Sequence, residues 1–180
     1  MLGSKISAIE YFLPKNKENN KIFKKNNPGV NIDRIKAKTG INNRFISSEK
    51  ETVIEISIKA INKILKKFPK KNIDFLILVS QTSNYRIPTS ACIIQNKLGL
   101  RKDIIAFDIN LGCSGFIYAL RMASSLIESK QVNNGLIVCA DTYTKHISKT
   151  NTACRGKYRP FIISTLILNT HFFRFPAFKK

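Results

Sequence analysis

The run Ile73-Asp74-Phe75-Leu76-Ile77-Leu78-Val79-Ser80 decides the fold class. It is almost continuously apolar and lacks the alternation of a strand that faces water on one side. Such a run marks a central strand covered on both faces, as in the parallel sheets of α/β domains. Before it, Glu51 to Lys67 predicts an amphipathic helix, with Ile54, Ile58, Ile61 and Leu65 on one face, ended by Pro69. After it, Pro88-Thr89-Ser90 opens a second helix carrying Ala91, Ile94 and Leu98. Ile104 to Ile109 predicts another strand. A long helix follows Cys113, with Phe116, Leu120, Ala123 and Ile127 on one face, and Gly135 to Asp141 predicts a further apolar strand. Strands that alternate with helices predict a covered, largely parallel α/β sheet.

The flanks are less regular. Lys5 to Leu13 predicts a first strand, closed by Pro14, and a polar stretch rich in Lys and Asn runs from Lys15 to Asn27. Pro28-Gly29 marks a turn, Asp33 to Lys38 a short helix stopped at Thr39-Gly40, and Arg44 to Ile46 a short strand. The far end changes character. No acidic residue follows Asp141, and Phe161 to Lys180 crowds Phe172, Phe173, Phe175 and Phe178 together without clean helical or strand periodicity. Left exposed, such a segment would be an aggregation hazard.

The chain has 180 residues, enough for one domain with a sizeable core. Its 31 Lys and Arg against 11 Asp and Glu give a net charge of +20. That balance suits an acidic partner, a nucleic acid or an anionic surface, or reflects solvated lysines in a composition rich in Lys, Asn and Ile. Lys66-Lys67-Phe68-Pro69-Lys70-Lys71 sits at a helix end, where cations complement the dipole, and no nucleic-acid module, Gly-rich nucleotide loop or P-loop is present. Nucleic acid is therefore not expected as a partner. The N-terminus lacks the apolar core of a signal peptide, and no apolar stretch approaches the ~18 residues of a membrane span. A cytoplasmic protein with reduced thiols is expected. Cys92, Cys113, Cys139 and Cys154 form no CxxC pair and no metal spacing, so no metal is expected. Cys92 and Cys139 lie in apolar runs and are expected to be core thiols.

Cys113 has a different setting, Phe107-Asp108-Ile109-Asn110-Leu111-Gly112-Cys113-Ser114-Gly115-Phe116. A strand runs into Gly112 and a helix begins just beyond the thiol. The helix dipole and the backbone N–H groups there favour the thiolate, the nucleophilic form, while the glycines permit a sharp turn. Cys113 is thus a candidate acyl-accepting nucleophile, set against the plainer possibility of a small packed thiol. A base for it is harder to find. His146 reads as a surface residue in a polar segment, and His171 lies in the irregular end.

Taken together, Lys38-Thr39-Gly40-Ile41 with Arg44, Ile73 to Ile77, Ile87-Pro88-Thr89-Ser90-Ala91-Cys92 with Gln95 and Leu98-Gly99-Leu100, Phe107 to Phe116, and Gly135 to Asp141 resemble the β-ketoacyl-acyl-carrier-protein synthase III family of the thiolase superfamily. The resemblance covers residues 1 to about 150. It implies a thiolase-like N-terminal half: a mixed, largely parallel sheet covered by helices, half of a layered αβαβα architecture. It implies an acyltransferase of fatty-acid or related acyl-chain synthesis that binds no cofactor. Acyl-coenzyme A would load Cys113, and malonyl-acyl carrier protein would lose carbon dioxide and attack the acyl thioester. Arg34, Lys38 and Arg155 would bind substrate, the first two at the coenzyme A mouth. Ile87 would reach across a homodimer to line the partner's acyl pocket. The basic balance would suit an acidic carrier protein.

The resemblance also sets two expectations about extent. A condensing-enzyme domain is expected over residues 1–160, with an aberrant, non-family tail over 161–180. Family members are about twice this length, and their second half supplies the His and Asn that promote decarboxylation. A product truncated by a shifted reading frame near residue 160 is therefore expected, capable of self-acylation and not of condensation. The alternative is a non-catalytic half-fold, unstable alone or serving as a subunit-pairing module.

Overall fold

A computed structural model describes residues 4–26, 28–29, 31–145 and 169–174. In chain order the elements are β1 (Ile6–Glu10), β2 (Asn16–Asn19), α1 (Asn20–Asn26), α2 (Ile32–Thr39), β3 (Asn43–Ile46), α3 (Val53–Leu65), β4 (Phe75–Val79), α4 (Ser90–Leu98), β5 (Ile105–Ile109), α5 (Gly115–Glu128), β6 (Asn134–Cys139) and β7 (Asn169–Arg174). Short 3₁₀ turns lie at Lys70–Asn72 and Tyr143–Lys145.

The apolar run around Phe75 becomes β4, buried at every position. It pairs in parallel with β5 and with β6, in registers that set Val79 level with Ile109 and Cys139. Successive residues point to opposite faces, so β4 divides the core in two. Leu76 and Leu78, with Leu136 and Val138 of β6, pack on α3 and α4 through Ile56, Ile61, Ile64 and Ile94. Phe75, Ile77 and Val79, with Ile137, pack on α5 through Ala119, Ala123 and Ile127. The expected helix between β4 and β5 is α4, whose first two backbone N–H groups, on Ser90 and Ala91, each donate to the Asp108 carboxylate at 2.8 Å. That carboxylate offsets the positive end of the helix.

The whole sheet among the described residues runs β1-β7-β6-β4-β5. It is mixed, with parallel pairing at β6-β4-β5 and antiparallel pairing of β7 with both β1 and β6. Asn169–Arg174 is an interior strand of the sheet. A strand hydrogen-bonded on both sides, in a sheet flanked by helices, does not need the alternation that its sequence lacks.

The polar stretch from Lys15 to Asn27 also holds structure that its composition hides. β2 pairs antiparallel with β3, and α1 follows it. The anchor is Arg44, only 1% exposed, whose guanidinium lies 4.2 Å from the Phe23 ring centroid and donates to Asn20 Oδ1 at 2.7 Å. Arg44 thereby ties α1 to β3. α2 begins at the Asn31 cap, whose side chain accepts from Arg34 N, and stops at Gly40 as the sequence predicts.

Candidate active site

Because β5, β4 and β6 run in parallel, their carboxyl ends open at one edge of the sheet. Open α/β sheets place ligands beyond that edge. Three segments meet there: Ser80 to Thr82, Asn110 to Ser114, and Ala140 to Tyr143.

Cys113 sits in the middle segment on a turn closed by Gly115 N donating to Gly112 O at 2.8 Å. Its side chain is exposed. α5 begins at Gly115, with Ser114 as a cap whose side chain makes no capping bond. The thiol therefore stands on the turn just ahead of the helix, at its positive end. Close approach requires a glycine at 115, whereas at 112 the crowding comes from the exposed Gln81 side chain. A Cβ on Gly115 would come within 2.5 Å of Val79 Cγ1, and one on Gly112 within 2.8 Å of Gln81 Oε1. The helix can start this close to β4 only because its first residue has no side chain.

Asp141 organises the neighbouring segments. Its Oδ1 accepts from Gln81 N at 2.8 Å, Thr82 Oγ1 at 2.9 Å, Thr82 N at 3.1 Å and Ser80 Oγ at 3.2 Å. Thr82 Oγ1 in turn accepts from Thr142 N at 2.8 Å. Ser80, Thr82 and Thr142 are buried, so the network lies largely out of water. Burial pushes the Asp141 carboxyl above its ordinary range, against the hydrogen bonds that favour the charged form. Burial and then Asp141 push the Cys139 thiol up to about 12. Cys139, expected as a core thiol, is partly buried against the core and held as a neutral thiol, so it does not compete as a nucleophile. Burial raises Tyr143 as well, followed by Asp141 and Cys113, which brings the phenol into the same neighbourhood.

A family model described as 3-oxoacyl-[acyl-carrier-protein (ACP)] synthase III matches residues 107–156, the stretch that holds this turn and the Asp141 segment. A β-ketoacyl-[acyl-carrier-protein] synthase III from Fusobacterium nucleatum is 35% identical over 148 residues, 81% of this chain and 44% of the relative. One from Neisseria gonorrhoeae is 31% identical over 157 residues, 86% of this chain and 49% of the relative. The crystal structure of 3-oxoacyl-[acyl-carrier-protein] synthase III from Aquifex aeolicus superposes with a TM-score of 0.84 at 28% identity, covering 98% of this chain and 55% of that one. Over most of its length the chain is similar to about half of a β-ketoacyl-acyl-carrier-protein synthase III. Its fold is the thiolase-like α/β fold. The chain spans about half the length of the curated relatives it matches.

Arg34 and Lys38 are exposed one turn apart on α2. Ile87 is 89% exposed on the segment leading into α4. Arg155, Cys154 and His146 lie outside the described residues, and His171 falls in β7, where its backbone pairs with Ile9 and Ile137.

Cys92 is a correction. It is exposed, not a core thiol, because α4 buries Ala91, Ile94 and Leu98 and the next residue along is turned away from them. Its Sγ accepts from Thr89 Oγ1 at 3.4 Å. The residues that sequence reasoning missed are Gln81, Thr82, Asp108 and Tyr143, together with the anchoring role of Asp141. A signal was present: in a chain with 11 acidic residues, Asp74, Asp108 and Asp141 each flank or lie within an apolar strand. Each proves to hold backbone N–H groups of a neighbouring segment.

Proposed function

We propose that this chain performs the acyl-accepting step of a 3-oxoacyl-acyl-carrier-protein synthase of type III, in fatty-acid or related acyl-chain synthesis. The supporting observation is the exposed Cys113 on the tight β5–α5 turn, inside the stretch matched by the synthase III model. Cys113 Sγ, as thiolate, attacks the carbonyl carbon of an acyl-coenzyme A. The new S–C bond forms, the bond to the coenzyme A sulfur breaks, and that sulfur leaves as a thiolate and takes a proton from water. In the full reaction malonyl-acyl carrier protein then loses carbon dioxide. The electron pair left on its α-carbon attacks the Cys113 thioester and expels the Cys113 thiolate. The exposed cations Arg34 and Lys38 suit the phosphates of coenzyme A, with Arg155 a further candidate, and the exposed Ile87 suits a contact with a second protomer.

Incubating the chain with acetyl-coenzyme A and measuring its intact mass tests the proposal. A gain of one acetyl group that disappears in Cys113→Ala is the expected result. No gain, or a gain that persists in Cys113→Ala, overturns it.

A non-catalytic pairing role is favoured by one specific observation. The outward face of α5 carries Ile117, Tyr118 and Met122, at 63%, 58% and 43% exposure. Bulky apolar residues in such a cluster fit coverage by another protein layer better than lasting contact with water. Weak solubility and strong binding of an apolar dye, together with no acyl transfer, would select this role over the enzymatic one.

A further inference from the structure

Asp141 and Gln81 take no part in the acyl transfer described above, yet they border its nucleophile. Asp141 follows β6, Gln81 follows β4 and Gly112 follows β5, and the parallel register aligns the ends of these strands at Cys139, Val79 and Ile109. We propose that Asp141 is a positioning residue for Cys113, acting through the Gln81 side chain that lies against Gly112. The proposal rests on Cys113 being the acyl acceptor.

All four hydrogen bonds that Asp141 receives from the β4 exit converge on one oxygen, Oδ1. Two of the donors are the backbone N–H groups of Gln81 and Thr82, so the carboxylate sets the path of the chain at Gln81. On that path the Gln81 amide reaches Gly112. The space a Cβ at Gly112 would fill is occupied, with Gln81 Oε1 at 2.8 Å, Cδ at 3.0 Å and Nε2 at 3.1 Å from it. The Gln81 amide therefore braces the turn one residue before the nucleophile. The brace is cross-strand: β6 holds the β4 exit, and the β4 exit holds the β5 turn. The part of the brace formed by Asp141 with Ser80, Thr82 and Thr142 is suited to this because its buried members cannot relax singly without leaving a polar group unpaired.

Site-resolved alkylation provides the test, with iodoacetamide as the probe and peptide mass spectrometry as the readout. Cys92 is exposed on α4 and serves as the internal reference in the same molecule. Asp141→Ala and Gln81→Ala are each expected to lower the labelling rate of Cys113 several-fold relative to Cys92. Asp141→Asn, whose Oδ1 accepts the same four bonds, is expected to restore the wild-type ratio. Gly112→Ala displaces the same amide, so combining it with Gln81→Ala is expected to add nothing further. Should Asp141→Ala fail to fold, Gln81→Ala carries the test, because that side chain is at the surface. An unchanged ratio in Gln81→Ala, a parallel change at both thiols, or a failure of Asp141→Asn to restore the ratio overturns the proposal. The readout needs no acyl donor. Loss of acylation with this labelling pattern intact would therefore count against the proposed function alone.

Discussion

α3 and α5 cover opposite faces of the same sheet and make opposite use of their side chains. α3 turns bulky residues inward: Val53, Ile54, Ile56, Ile61 and Ile64 are buried. Its outer side is polar and engaged. Lys59 pairs with Glu51 at 2.8 Å and lies over the Phe12 ring, Lys63 Nζ donates to Tyr11 O, and Glu55 meets Lys97 at 2.6 Å. α5 turns Gly115, Ala119, Ala123 and Ile127 inward and leaves Ile117, Tyr118 and Met122 outside. Small inward residues let α5 approach β4 closely, as the Gly115–Val79 contact requires. The two helices look alike by hydrophobic periodicity. They differ in where the volume sits: α3 completes a surface, whereas α5 presents a further apolar face.

Four substitutions would break or sharpen this contrast. Ile61→Ala on α3 removes a side chain with no exposure and is expected to lower unfolding free energy by about 2–5 kcal/mol in a denaturant titration. Ala119→Leu on α5 overfills the narrow gap to the sheet and is expected to cost about 1–3 kcal/mol. A neutral Ala119→Leu would mean that α5 does not lie close to β4. Ile117→Ser with Met122→Ser on the outer face is expected to change stability by less than about 0.5 kcal/mol per site while reducing apolar-dye binding. A loss as large as that of Ile61→Ala would show that the face is covered.

The smallest effect belongs to Glu10 of β1, which pairs with Lys67 just beyond the end of α3. The hydrogen bond from Lys67 holds the Glu10 carboxyl below its ordinary range. A carboxyl whose folded value is depressed stabilises the fold above its unfolded value and loses that contribution as pH falls through the folded one. Glu10→Gln is therefore expected to reduce stability slightly at neutral pH and not at all in strong acid, as read by thermal melts across pH.

What was legible in the sequence follows the same physics. β4, β5, β6, α3, α4 and α5 announce themselves because each has an apolar face or run long enough to register. The position of Cys113 at the β5–α5 turn is legible from Gly112 and Gly115, which permit its tight geometry. On α5 the periodicity identifies the helix and its inner face through Ala123 and Ile127, but it reads Phe116 and Leu120, which pack at the partly buried edge of that face, and passes over Gly115 and Ala119, which are buried on the sheet. The smallest residues there make the closest contact, and hydrophobicity scarcely registers them. β2 and α1 are hidden because their main anchor is one buried arginine against one phenylalanine, a contact between distant residues. β7 is hidden because its partners, β1 and β6, are remote in sequence. The Asp141 network is hidden for the same reason, since it joins segments about sixty residues apart.

The central claim is that the β5–α5 turn makes Cys113, and not merely any exposed thiol, the acyl acceptor. The most direct measurement is thioester occupancy at Cys113 and at Cys92, resolved by peptide mass spectrometry after one incubation of the chain with acetyl-coenzyme A. Both thiols are exposed, and only Cys113 stands on the glycine-flanked turn at the carboxyl edge of the parallel strands. Acyl groups concentrated on Cys113, with Cys92 near its unreacted level, are the predicted result. Equal occupancy at the two sites, or none at Cys113, would contradict the claim.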